Sequence, residues 1–205
     1  MARKQFTLDE HTSHRHLYIR SILMILIAGD SFAADWTIKN SKTGWVNYIT
    51  DVVNIAQAGV GEYKILKQLQ SRDLSLYTHI IVSHTSPYRI HTSHNPLHIN
   101  DSLHYACDFI YEDVAGRLPD VEKFFTDYFD LEYAIYIHTK ICEEIDKLTS
   151  GYKTLHLNHI DWNGLYKFNN SLDFSKVKKS INSSNHYNDK NNKLVYNEVM
   201  KRINQ

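Results

Sequence analysis

An uninterrupted apolar run occupies residues 21–28 and is followed directly by Gly-Asp-Ser at residues 29–31. Because hydrophobic positions do not alternate with polar ones in this run, it predicts a strand buried on both faces, as in a parallel sheet. Shorter apolar segments at residues 52–56, 78–83 and 152–157 have the same character, and polar or glycine-containing segments follow the first two of them. The pattern therefore predicts four strands of one sheet.

Segments with helical periodicity separate these strands. The predicted helical segments are residues 44–49, 62–69, a segment begun by Asp101 that continues through Tyr105 and Phe109, a long pattern over 119–151, and 194–203. Residues 161–192 are rich in Asn, Ser and Lys and predict mainly loop. Strands that alternate with helices indicate a parallel sheet covered by helices on both faces. A ligand site is then expected beyond the carboxyl ends of the strands.

Length and charge narrow the class of protein. The 205 residues suit a single domain over 1–205, with a polar N-terminal extension at 1–20. Lys and Arg number 23, and so do Asp and Glu, so the chain lacks the positive charge expected of a protein that binds nucleic acid or an anionic membrane. We therefore expect neither partner.

The apolar run near the start has a second interpretation, as the core of a signal peptide. The run is short, polar residues crowd the segment before it, and Gly29-Asp30 closes it, so a buried strand is favoured. No stretch approaches the roughly 20 apolar residues of a membrane span. The expectation is a soluble, cytoplasmic protein.

Three loops carry residues that suit nucleophilic catalysis. Ser31 follows the first strand, at the expected start of a helix whose amides can stabilise a developing oxyanion, although Gly-Asp-Ser also forms ordinary turns. Gly59 follows the second strand, with Asn54 before it, and allows close backbone approach to a substrate, but it also fits a plain turn. His186 precedes the last helix and has a suitable pKa for a general base, although the chain contains 13 His.

Taken together and in this order, the three features resemble the SGNH (GDSL-type) hydrolase family, most specifically in the stretch ILIAGDSFAADW at residues 25–36. The resemblance implies a three-layer, flavodoxin-like α/β fold with a central parallel sheet. It implies a serine esterase that acts on a small-molecule or glycan ester, with no cofactor and no metal. Ser31 would be the nucleophile and His186 the base, and the amides of Ser31 and Gly59 would form part of the oxyanion hole.

Two positions depart from the pattern of that family. Thr85 falls where an oxyanion-binding Asn is usual, and a hydroxyl donates one hydrogen bond with a shorter reach. Ser183 falls where the family has the Asp that holds the catalytic His, so a backbone carbonyl or another acid would have to replace it, with Asp161 and Asp189 as candidates. Two alternatives to a hydrolase remain open. One is a catalytically degenerate module that binds without turnover, and the other is an acyltransferase that uses the same residues.

Three further residues are candidates for substrate binding. Asp30 stands beside the proposed nucleophile, and Trp36 is the aromatic side chain expected at the rim of the site. Arg89 lies in the long loop after the third strand. It either clamps a carboxylate or phosphate or forms a surface ion pair.

The loop after the third strand also contains His91, His94 and His98, which raises the question of a zinc site. No accompanying carboxylate motif is present, so solvated loop histidines are the favoured interpretation. The two cysteines, Cys107 and Cys142, lack zinc-site spacing and predict free buried thiols in helical segments.

Overall fold

A five-stranded, entirely parallel sheet forms the centre of the molecule. The computed structural model describes residues 24–39, 43–161, 166–180 and 184–205. The strands are β1 (Ile25–Gly29), β2 (Val52–Asn54), β3 (His79–Ser83), β4 (Thr154–Asn158) and β5 (Ser171–Asp173). Their order is β2-β1-β3-β4-β5, which is the flavodoxin-like order. The four predicted strands are present, and β5 lies within a segment that was predicted to be mainly loop.

The described helices flank this sheet. They are α1 (Glu62–Gln70), α2 (Tyr111–Val114), α3 (Pro119–Asp127), α4 (Leu131–Thr149) and α5 (Asp189–Ile203), with short 3-10 turns at Trp36–Ile38, Trp45–Tyr48, Leu74–Leu76 and Ser184–His186. The long pattern over 119–151 is therefore two helices, because Asp130 caps a new helix by accepting a hydrogen bond from the amide of Tyr133. No described helix combines the length and apolar character needed to cross a bilayer.

The predicted helix after Asp101 is wrong. The Asp101 carboxylate does accept hydrogen bonds from the amides of Leu103 and His104, but the chain then continues as turns. Phe109 exchanges both backbone hydrogen bonds with Ile90 in an antiparallel bridge, so its amide is not available to a helix. Cys107 consequently lies in irregular structure directly after a turn, and only Cys142 is helical.

Alternate side chains of β1 enter two different cores. Ile25 and Ile27 pack with the buried face of α5, and Leu26 and Ala28 pack with α1 and α4. All four side chains are completely buried. The sheet is therefore the middle of three layers, and the fold is a three-layer α/β fold as predicted. The N-terminal extension at 1–20, and residues 21–23 of the predicted first strand, lie outside the described residues.

Candidate active site

Ser31 lies in a tight turn directly after β1. The amides of Ala33 and Ala34 both donate to the backbone carbonyl of Asp30 at 3.0 Å, and the Phe32 amide donates to Asp30 Oδ1 at 3.0 Å. The helical bonding pattern stops after this one turn, so the prediction that a helix begins at Ser31 is wrong. Ser31 is 8 % exposed, and its backbone is fixed by the turn rather than by a helix.

The side chains of Ser31 and His186 meet. His186 Nε2 lies 2.8 Å from Ser31 Oγ, a hydrogen-bond distance between residues 155 positions apart. His186 and its neighbour Asn185 both have positive φ, 60° and 50°, in the left-handed region that side chains other than glycine rarely adopt. Asn185 Nδ2 donates to the carbonyl of Ala34 at 2.8 Å, and the Ser180 amide donates to the carbonyl of His186 at 2.7 Å. These contacts hold the strained loop against the serine turn.

Asn192, on the first turns of α5, holds the same loop from the other side. Its Oδ1 accepts from the amide of Trp45 at 3.0 Å, and its Nδ2 donates to the carbonyls of Ser184 and Tyr187. Asn192 is fully buried, so these bonds form away from solvent. A glycine at position 44 also allows the close approach, since a Cβ there would lie 1.3 Å from Asn185 Oδ1. The position of His186 is thus determined by buried polar contacts.

No carboxylate among the described residues contacts His186. Asp161 pairs with Lys176, and Asp189 begins α5 as an exposed side chain, so neither of the two suggested replacements orients the imidazole. Ser183 lies outside the described residues. Burial, followed by nearby positive charges and chiefly that of Arg89, lowers the pKa of His186 to about 4. The imidazole is therefore neutral near pH 7 and able to accept a proton.

Asp30 is a buried structural acid rather than a substrate contact. It is 1 % exposed, and the Ser83 hydroxyl donates to its Oδ1 at 3.3 Å. Burial raises the pKa of Asp30 to about 7, although the Phe32 amide and the Arg89 charge lower it. Asp30 shapes the turn that carries Ser31, and its side chain is almost completely enclosed.

Thr85 does not present a free hydroxyl to an oxyanion. Its side chain hydrogen-bonds to Asp30 and lowers the pKa of that carboxyl. Its amide donates to Glu62 Oε2 at 3.1 Å, and its carbonyl lies 2.9 Å from His138 Nε2. Thr85 therefore links the turn of Ser31 to a second buried network. Its hydroxyl, which was expected to donate to an oxyanion, is already engaged by Asp30.

The backbone at Gly59 lies in the left-handed region, which favours glycine over other residues. Its φ is +74°, and a Cβ would lie 2.3 Å from Cys107 Sγ. Its carbonyl accepts from the amide of Asp108 at 2.9 Å and from Arg89 Nη1 at 3.0 Å. Within the described parts of the chain, neither the Gly59 amide nor the Ser31 amide has a hydrogen-bond acceptor. Both residues are buried, so these two amides are unpaired without being openly exposed.

Arg89 is half-buried and has no carboxylate partner among the described residues. Besides the bond to the Gly59 carbonyl, its Nε is buried without a hydrogen-bond partner. The guanidinium acts electrostatically on both Asp30 and His186, lowering the pKa of each. The described chain therefore gives Arg89 no carboxylate for the predicted surface ion pair. Its unpaired positive charge near Ser31 and His186 is compatible with the other prediction, that Arg89 clamps an anionic ligand.

Trp36 borders the pair, as expected for a residue at the rim. Its ring lies edge-on to that of His186, with centroids 6.0 Å apart, and Nε1 donates to the Ser31 carbonyl at 3.0 Å. On its other side it meets the ring of His104 at 5.9 Å. The indole thus fixes the serine turn and covers one side of the imidazole.

Sequence reasoning missed the aromatic packing behind His186. The ring of Phe32 lies 4.6 Å from that of His186 and 4.7 Å from that of His159, stacked on the latter. His159 Nδ1 is 2.8 Å from the Tyr187 hydroxyl, and burial lowers the pKa of His159 to about 3. The available signal was the position of His159 directly after β4, where parallel strands deliver site residues.

A second buried polar network centres on Glu62, the first residue of α1. His84 Nδ1 lies 2.6 Å from Glu62 Oε1, and His138 Nε2 lies 3.4 Å from Oε2. Burial alone would raise the pKa of Glu62, but the charges and hydrogen bonds of the two histidines hold it well below its ordinary range. Sequence reasoning missed this network, because its members come from separate elements and share no motif.

The histidines of the loop after β3 do not form one group. His91 Nδ1 lies 3.5 Å from Asp108 Oδ1, whereas His98 stacks on His104 with centroids 5.2 Å apart. The groups of possible metal ligands found among the described residues include His98 but neither His91 nor His94. A joint zinc site of His91, His94 and His98 is not formed.

Two cavities lie beside these residues. One, of about 390 Å³, is lined by side chains of α4 and of the segment before it, among them Phe129, Tyr133 and Ile137, and also by Arg89 and Gly61. The other, of about 450 Å³, is lined by His84, His138 and Phe168, among others. Neither cavity is lined by Ser31 or His186, so these two residues lie outside both cavities.

Comparisons of the chain with protein-family models, with curated proteins and with solved structures found no match. The arguments for function therefore rest on the geometry of the described residues and on the short motifs that they contain.

Proposed function

We propose that this protein is a serine ester hydrolase of the SGNH (GDSL) type, in which Ser31 is the nucleophile and His186 the general base. The observation that carries the proposal is the 2.8 Å contact between Ser31 Oγ and His186 Nε2. A serine hydroxyl is a weak nucleophile unless an adjacent base accepts its proton. The strained loop that holds His186 further supports a functional role for this contact.

The reaction follows from the positions of these groups. Ser31 Oγ attacks the ester carbonyl while its proton moves to His186 Nε2, and the tetrahedral oxyanion accepts hydrogen bonds from the amides of Ser31 and Gly59. His186 then returns the proton to the leaving alcohol, which leaves an acyl group on Ser31. Water, deprotonated by His186, attacks this acyl-enzyme; His186 then returns that proton to Ser31 Oγ as the acid leaves, which restores the free serine.

The unpaired guanidinium supports a more specific substrate. Arg89 carries a positive charge with a buried Nε that has no partner in the described chain. Such a group favours an ester whose acyl or alcohol part carries a carboxylate, a phosphate or closely spaced hydroxyls. Trp36 supplies an aromatic face at the rim, which suits a sugar or another ring.

A second candidate function, binding without turnover, is favoured by one observation. His186 has no carboxylate partner among the described residues, and the Thr85 hydroxyl is engaged by Asp30. Loss of one oxyanion donor typically costs about 10²–10³ in rate. A protein without both groups can still bind an ester but hydrolyses it slowly or not at all. Acyl transfer to an acceptor other than water remains an alternative that uses the same residues.

A fluorophosphonate probe separates these functions, because it forms a stable bond only with an activated serine. We expect one adduct per chain, located on Ser31 by peptide mapping and absent from Ser31→Ala. His186→Ala should slow labelling by at least about 10², the usual contribution of a general base. His94→Ala, which removes an exposed histidine outside the pair, should label like the parent protein.

Failure of the folded parent protein to react would contradict the hydrolase and favour the binding module. Labelling of another serine, or labelling that does not depend on His186, would also contradict the assignment of the pair. Once Ser31 is shown to react, release of acid from acetylated and anionic esters, measured beside transfer to added alcohols, distinguishes hydrolysis from acyl transfer.

A further inference from the structure

A cluster of metal-binding side chains lies behind the loop that follows β3, apart from the Ser31–His186 pair. Glu62, His84 and Cys142 each present a ligand atom within 4.8 Å of the other two. His138 lies one helical turn before Cys142 on α4, with its Nδ1 3.7 Å from Cys142 Sγ. All four side chains belong to residues that are at most 6 % exposed. Carboxylate, imidazole and thiolate together are donors that zinc accepts.

Both histidines have the outer hydrogen bond that is usual for metal ligands. His84 Nε2 lies 2.9 Å from His156 Nδ1, and His138 Nε2 lies 2.9 Å from the carbonyl oxygen of Thr85. Metal-bound histidines almost always donate their second ring N–H to such a group, which fixes the tautomer and the orientation of the ring. These contacts leave His84 Nδ1 facing Glu62 and His138 Nδ1 facing Cys142.

We propose that Glu62, His84 and Cys142, whose ligand atoms lie within 4.8 Å of one another, form a structural zinc site together with His138, whose Nδ1 faces Cys142 Sγ and has to move closer to the other two ligands. Zinc would take one Glu62 oxygen, the two Nδ1 atoms and Cys142 Sγ in a tetrahedral arrangement. The thiol proton of Cys142 and any proton on the two Nδ1 atoms leave to solvent, so that carboxylate and thiolate balance the charge of the ion. The 2.6 Å hydrogen bond between His84 and Glu62 is exchanged for two metal bonds. For this exchange, the distance between His84 Nδ1 and Glu62 Oε1 has to increase by less than about 1 Å.

The position of the cluster explains what such a site would do. It joins the first turn of α1, the loop after β3 and the middle of α4. Four protein ligands leave no open position, so the ion stabilises the fold and does not activate water. The cavity of about 450 Å³, lined by His84, His138 and Cys142, gives the ion a path from solvent.

Elemental analysis of the full chain, followed by cobalt titration after chelator treatment, tests the proposal. We expect one zinc per chain as purified, and one cobalt per chain with a thiolate-to-cobalt absorption band in the near ultraviolet. Zinc should displace cobalt and raise the Tm. Cys142→Ser should lose the near-ultraviolet band, and Cys107→Ser, which changes the other buried cysteine, should keep it.

His138→Gln provides a second variant, which should bind cobalt more weakly while keeping the thiolate band. Ser31→Ala should bind cobalt like the parent, so the outcome is independent of the hydrolase. A folded parent protein without stoichiometric zinc and without the cobalt band would overturn the proposal and leave a hydrogen-bonded ion pair at Glu62. A band that follows Cys107 instead of Cys142 would overturn it as well.

Discussion

His186 lacks, among the described residues, the carboxylate that normally stabilises the imidazolium of a catalytic histidine. Burial and the charge of Arg89 act in the opposite direction and lower its pKa to about 4. The folded protein therefore keeps this imidazole neutral between its folded pKa of about 4 and the unfolded value of 6.5, so the proposed base can still accept a proton in mildly acid solution. The same shift makes it a weaker proton acceptor, because basicity falls with pKa.

The pH dependence of labelling should report this shift. We expect the rate of fluorophosphonate labelling to be half-maximal near pH 4 rather than near pH 6.5. Arg89→Gln removes a positive charge that disfavours the imidazolium, so the half-maximal pH should rise. Arg72→Gln, on the exposed end of the α1 segment, should leave it unchanged. An unchanged profile in Arg89→Gln would show that this guanidinium does not act on His186.

Asp30 gives a second prediction, for stability. Its pKa is about 7 in the folded protein against 3.8 in the unfolded chain, so unfolding releases a proton between these values. The resulting loss in the free energy of unfolding, caused by the raised pKa of Asp30, is absent below pH 3.8. It grows as the pH rises and reaches about 4 kcal/mol above pH 7. Asp30→Asn removes the ionisation and keeps an oxygen that can accept from the Phe32 amide.

Denaturant unfolding at several pH values measures this effect. The free energy of unfolding of Asp30→Asn minus that of the parent should increase as the pH rises from 4 to 7. Asp35→Asn is the matched control, because hydrogen bonds from Thr37 and Asn47 outweigh partial burial and lower the pKa of Asp35. That variant should lose stability relative to the parent at neutral pH. A pH-independent difference for Asp30→Asn would mean that Asp30 is ionised in the folded protein.

At the scale of elements, the loop before α5 is held in a conformation that its own residues disfavour. Asn185 and His186 have φ of 50° and 60°, which costs on the order of 1–3 kcal/mol for each such residue. Asn192 in α5 and the close approach of Gly44 keep the loop in place. The geometry of the pair therefore depends on how α5 docks against the turn at Trp45–Tyr48.

Gly44→Ala tests this dependence. The added Cβ would lie 1.3 Å from Asn185 Oδ1, so Asn185 and the adjoining His186 must move. Because a displacement of 1 Å at a reactive pair can cost about 10² in rate, we expect labelling of Ser31 to fall by that order while the fold is retained. Gly151→Ala adds the same methyl group where nothing lies within 4 Å, and it should label normally. Normal labelling of Gly44→Ala would show that the loop adapts without moving the imidazole.

At the scale of the whole molecule, the predictable parts are those that depend on local patterns. Continuous apolar runs predicted β1 and β3 because a strand buried on both faces leaves that signature. Residues 171–173 gave no such signal: the edge strand β5 is short and half-exposed, and only pairing with β4 defines it. The segment after Asp101 has a helix cap, but tertiary pairing of Phe109 with Ile90 overrides it.

The candidate site divides in the same way. Ser31 and His186 were predicted as a pair from short motifs, and the structure places them 2.8 Å apart. The engagement of Thr85 by Asp30, and the cluster around Glu62, were not predictable. These contacts join side chains from separate elements whose distances only the folded sheet determines. The activity of the pair and the family resemblance stay predictions until the serine is tested.

For the proposed hydrolase, the wide separation of Ser31 and His186 along the chain also determines when the pair can form during synthesis. The base is added 155 residues after the serine, and translation at 5–20 residues per second makes this an interval of about 8–30 s. A contact of such high sequence separation contributes to a high contact order and forms late in folding. For the proposed hydrolase, a ribosome-bound chain therefore carries an unactivated Ser31 hydroxyl for most of its elongation, and the proposed base reaches it only when α5 docks.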